Sequence, residues 1–131
     1  MSLSGNLRSR WLDFLITDGE KEDRDRDSEF IIYPEDTRTK LMHNWEEGWN
    51  ILTDTFDKLK SNDLEKTITI RKEIHTVPLA IQRSLAHTTY HIGQIMYLCR
   101  LIKSGEWKWL TIPPGMSNNF NNDMKDRNSN A

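Results

Sequence analysis

Apolar positions along this chain fall into three helical stretches separated by polar runs. From about Asn6 to Asp18, the residues Leu7, Trp11, Phe14 and Leu15 recur at three- and four-residue spacing, and Asp18-Gly19 offers a stop, so the pattern predicts a first helix over residues 6–18. Met42, Trp45, Trp49, Leu52, Phe56 and Leu59 repeat in the same way behind a cap at Asp36, which predicts a second helix over 37–61 with this row as a bundle seam. The same continuity makes the tryptophans core residues and not a cofactor box. Thr76-Val77-Pro78 has the chemistry of a helix start, and the pattern then runs to Lys103-Ser104-Gly105, a third and longest helix over 77–104.

Between the helices the signals are weaker. Glu20 to Asp27 is a dense charge run without helical or strand period, and reads as a solvated surface loop continuing to about residue 35. Thr67 to Arg71 alternates like a strand but is too short to define a sheet. Beyond the Pro113-Pro114-Gly115 turn, residues 117–131 are rich in Asn and Asp and read as a disordered polar tail, which leaves one all-α domain over 1–116.

Composition narrows the function. Twenty acidic residues nearly cancel eighteen basic ones, so no strong overall field gathers nucleic acid. The single cysteine, Cys99, excludes an intramolecular disulfide. No apolar run approaches a membrane span and the first residues lack a secretory core, so the expected place is the cytoplasm, with no membrane partner.

The candidate chemistry lies in His87 and His91, four residues apart on the third helix, whose rings stand about 40° apart on one face. Ala80, Ser84, Gln94 and Leu98 flank them, next to an apolar sector of Ile81, Ile92, Ile95 and Cys99, while Arg83 projects from the opposite side. Two imidazoles so placed can share one divalent ion, although the plain alternative is a pair of boundary histidines satisfied by hydrogen bonds. A catalytic zinc site takes three protein ligands and an open position. His75 and His43 are not at spacings that reach the pair, and Thr88 stands where a His-Glu-x-x-His motif carries its base.

Several residue strings support a more specific reading. Gly5-Asn6-Leu7, Ser9-Arg10-Trp11, Asp13-Phe14-Leu15, Thr17-Asp18-Gly19-Glu20-Lys21 and Arg24-Asp25-Arg26-Asp27, with His87-Thr88-Thr89-Tyr90-His91-Ile92-Gly93-Gln94-Ile95 and Ile112-Pro113-Pro114-Gly115, resemble an uncharacterised branch of the DinB/YfiT-like superfamily. The resemblance implies a four-helix bundle with a three-histidine site for nickel or zinc. His87 and His91 match two of those ligands, and Ser2 stands at the third. It also implies a preceding helix that this chain lacks, so the bundle is expected to be reduced to three main helices and N-terminally incomplete. Metal occupancy is then partial or absent, and a homodimer covers the exposed seam. The expected function is a divalent-metal-binding protein, a metal-dependent enzyme acting on a small thiol or other small molecule, with Gln94 orienting the substrate. The alternatives are a non-catalytic metal-binding or interaction module and an inactive truncated family member.

Overall fold

The computed structural model describes residues 2–129; Met1 and the last two residues of the expected tail lie outside the described residues. The chain is predominantly helical and divides into two compact units, residues 1–93 and 94–131. Its helices are α1 (Ser2–Trp11), α2 (Arg38–Lys58), α3 (Val77–Lys103) and α4 (Ser117–Ser129), with one small hairpin of β1 (Thr67–Ile70) and β2 (Glu73–Thr76). No helix among the described residues is long and apolar enough to cross a membrane.

In the first unit, α1 packs along α2 and supplies the centre of the core. Leu3, Leu7 and Trp11, one turn apart on α1, are buried together with Phe14, Ile68, Ile70, Val77 and Ala80. Trp45, Trp49, Leu52 and Leu59 of the seam pack partly buried against this cluster, whereas Met42 and Phe56 are exposed. The two helices meet closely at Gly48, where an added Cβ would stand 3.0 Å from the Cα of Ser4. A side chain there would require the α1 backbone to give way by a few tenths of an ångström.

Helix α1 begins and ends earlier than the apolar spacing predicts. Leu3 adds a further turn to the buried row, and the helix stops at Trp11 because Asp13 takes φ 51°, a left-handed conformation that a helix interior does not accommodate. The cap of α2 also moves by one residue. Thr37, extended, accepts from the Lys40 amide at 3.3 Å, while Asp36 accepts from the Tyr33 amide and pairs with the Lys40 ammonium, both at 2.9 Å.

The strand fragment of the sequence is half of a hairpin. β1 and β2 pair antiparallel with Ile70 opposite Glu73, so the loop is Arg71-Lys72, and both residues have positive φ, 55° and 65°. Such a two-residue loop usually announces itself by Asn-Gly, which is absent here.

In the second unit, Ser117–Ser129 forms a helix where composition suggested a disordered tail. The Met116 carbonyl accepts from the Phe120 amide at its start. Ile95 and Cys99, expected in the apolar sector of α3, are exposed in the single chain, as is Leu98 beside them.

Candidate functional site

The inward row of the first half of α3 is Val77, Ala80, Ser84, His87 and His91, at the three- and four-residue spacing of one helix face. Val77 and Ala80 are buried in the core, and the next turns carry the polar members. Ser84 Oγ accepts from the Trp11 indole at 3.0 Å, tying α3 to α1. One turn on, the Nε2 atoms of His87 and His91 face one another at 3.3 Å, with ring centroids 4.6 Å apart and planes at 77°. His87 Nδ1 is buried and has no hydrogen-bond partner among the described residues. Burial, then the nearby His91 and the guanidiniums of Arg10, Arg24 and Arg26, push the His87 imidazole below its ordinary range. Its ring is therefore neutral at pH 7, with a lone pair available for a Lewis acid.

His87 forms part of the wall of a cavity of about 260 Å³. Ser2 and Asn6 of α1, with Ser84 of α3, line it beside the histidine. Ser2, the position matched to the third ligand, thus faces the same space as His87. The other histidines are elsewhere: His43 is exposed on α2, and His75 is buried in β2, its Nδ1 2.9 Å from the Glu73 carbonyl and its Nε2 against the Arg83 guanidinium. Gln94 is exposed in the second unit. Among the described residues no group of three or more His, Cys, Asp or Glu side chains is placed to hold a metal ion.

The pair itself passes a geometric test. Two nitrogens each ~2.05 Å from one ion and ~109° apart would stand about 3.3 Å from each other. The observed separation of 3.3 Å matches that edge, and as a plain N–H···N hydrogen bond it is long. The residues present therefore fit two positions of a tetrahedral ion.

The rest of the cavity wall carries side chains that the sequence pattern did not single out: Arg10, Arg24, Arg26, Arg71 and Arg83. Arg83, assigned to the far side of α3, reaches round because its guanidinium is drawn to His75. The charge run is a surface loop, with Glu22, Asp23, Asp25, Arg26 and Asp27 exposed, and its Arg24 and Arg26 also enter the cavity wall. The Arg24 side chain is only 5% exposed and grips Glu29 through two hydrogen bonds of 2.9 and 3.1 Å. Glu20 receives Arg10 and Arg71, each at 2.9 Å. Burial works to raise the Glu20 pKa, but Arg10 and then Arg71 and Arg24 prevail and hold it below the usual carboxylate range. Ser9 Oγ, donating to the Gly19 carbonyl at 2.9 Å and accepting from the Lys21 amide at 3.1 Å, anchors this loop to α1.

Asp18 fixes the hairpin loop to the same platform. Its carboxylate accepts from the backbone amides of Glu20 at 2.7 Å and of Arg71 and Lys72 at 2.8 Å, which compensates the left-handed conformation of both loop residues. Although burial pushes its pKa up, these amides bring it down to about 2. An unstructured aspartate titrates near ~3.9, so the stability this carboxylate contributes is fully present above about pH 4 and is lost as the pH falls toward about 2. Asp18→Asn is expected to lower the neutral-pH melting temperature and to flatten the acid limb of its pH profile in that window. A limb as steep as in the unmodified protein would show that other carboxylates produce it.

A sequence model described as a protein of unknown function (DUF1572) matches residues 1–116 of the chain. No curated protein and no solved structure matches it.

Proposed function

The chain belongs to the DUF1572 family of proteins of unknown function, and on that premise we propose that it binds a divalent ion of the nickel or zinc class through His87 and His91 and acts on a small molecule. The observation that carries this reading is the convergence of the two Nε2 atoms at 3.3 Å, with the His87 ring neutral at the wall of a cavity large enough for a small substrate. The resemblance to DinB-like proteins supports it, since their helical histidine pair matches these two residues. A bound ion supplies Lewis acidity toward a small thiol or similar group entering the cavity. The protein's own part is to exclude bulk water with Trp11 and Ile68 and to hold the His87 imidazole unprotonated.

With two protein ligands the affinity is modest and protein purified without added metal carries less than one ion per chain. Elemental analysis and calorimetry with zinc or nickel test this. His87→Ala and His91→Ala each abolish binding, whereas His43→Ala, on exposed α2 surface, leaves it unchanged. Equal binding by the unmodified chain and both alanine variants would end the metal reading. The absence of a third ligand among the described residues favours a non-catalytic binding module as the second reading. Turnover of a thiol substrate that depends on added metal discriminates against it.

A further inference from the structure

The arginine wall is a feature that two histidines and a metal do not account for. Five guanidiniums, Arg10, Arg24, Arg26, Arg71 and Arg83, line one cavity in a chain whose net charge is −2. Among the described residues the carboxylates in ion pairs with them are Glu20, Glu29 and, at 3.9 Å, Glu73, so five guanidiniums share three carboxylates. Arg26 has no carboxylate partner among the described residues and rests its guanidinium 5.8 Å from the Phe30 ring centroid. Arg71 meets Glu20 through Nε, and Arg83 is turned inward by a buried histidine.

Holding these cations together has a structural cost. Like charges repel more strongly beside a partly buried wall than in open water. Arg71 occupies a left-handed loop position that glycine or asparagine would fill with less strain. The chain retains it there through the Asp18 carboxylate and aims its side chain at the cavity. Glu20 and Glu29 fix Arg10 and Arg24 as a rigid floor, while Arg26, Arg71 and Arg83 stand more exposed around the opening. Planar guanidiniums arranged in this way match paired anionic oxygens, each able to donate two parallel hydrogen bonds.

We propose that this cavity binds a small molecule through two or more closely spaced anionic oxygens, of phosphoryl or carboxylate type, held chiefly by Arg26, Arg71 and Arg83. The site goes beyond the metal reading and does not rest on it. When both hold, the anionic group anchors the substrate while its other end faces His87.

The test uses the full chain freed of metal on a chelating resin, titrated calorimetrically with pyrophosphate and with citrate at constant ionic strength set by chloride. Binding of either probe at micromolar to low millimolar concentration is expected, and the stronger one identifies the oxygen chemistry. Arg26→Gln combined with Arg83→Gln weakens it by roughly tenfold per guanidinium. A charge-matched control, Arg38→Gln with Lys58→Gln, both exposed on α2 and outside the cavity wall, changes it less than about twofold. Because loss of binding also follows from misfolding, the probe must raise the melting temperature of the unmodified chain and of the control, and not of the cavity variant. His91→Ala, which is not part of the cavity wall, keeps the anion affinity while losing metal, which separates the two proposals. No binding of either probe, equal loss in the control, or binding only after metal is added would each overturn the anion site.

Discussion

The Ser2→His variant is expected to bind zinc or nickel on the order of a hundredfold more tightly than the unmodified chain, since a third imidazole completes the protein share of a tetrahedral site. The expectation rests on position. Ser2 lies in the first turn of α1 and lines the same cavity as His87, and α1 is held firmly to α3 by the Trp11–Ser84 hydrogen bond and to α2 by the close approach of Ser4 to Gly48. A histidine introduced there begins on an anchored helix, so little ordering entropy opposes ligation. Stoichiometry moves from partial toward one ion per chain. The gain must vanish when His87→Ala is added, because one helical imidazole and the new one no longer make a three-nitrogen set. Calorimetry that finds Ser2→His no tighter than the unmodified chain would sink the idea that this position completes the site.

What the sequence revealed, and what it hid, follows the range of each interaction. The extent of α3 and the placement of His87 beside Ser84 and Ala80 were readable because helical spacing alone sets them. The seam of α2 was readable as apolar, but its Met42 and Phe56 remain exposed, since burial depends on what else packs there. The hairpin was half visible: Thr67 to Ile70 alternates, yet the loop Arg71-Lys72 is stabilised by Asp18, more than fifty residues earlier, and no local pattern carries that contact. The arginine wall was hidden for the same reason, drawing members from α1, the charged loop, the hairpin and α3. Its faint signal was the regular placing of arginines between aspartates from Arg24 to Asp27, overlooked because the net charge of the chain is slightly negative. The expectation of a homodimer rests on the seam of Trp45, Trp49 and Phe56, of which the tryptophans are partly buried and Phe56 is exposed in the single chain. Sedimentation decides whether a second copy covers them.

The largest effect on stability is expected from Trp11→Ala, which should lower the free energy of unfolding by about 3–5 kcal/mol, against a total of ~5–15 kcal/mol for an ordinary domain. Trp11 is 2% exposed. Its ring packs 5.1 Å from those of both Phe14 and Phe56, tilted to the first and edge-on to the second. Removing it opens a void bounded by three elements and leaves Ser84 without its indole donor. Trp11→Phe separates these contributions: the aromatic packing largely survives, and the lost hydrogen bond costs about 0.5–1.5 kcal/mol. Urea unfolding measures both. Because Trp11 also lines the cavity and holds Ser84 one turn before His87, the milder variant should weaken metal binding even where the fold persists. If Trp11→Ala unfolds within about 1 kcal/mol of the unmodified chain, α1 is not the centre of this core, and the anchored position from which Ser2→His is expected to act falls with it.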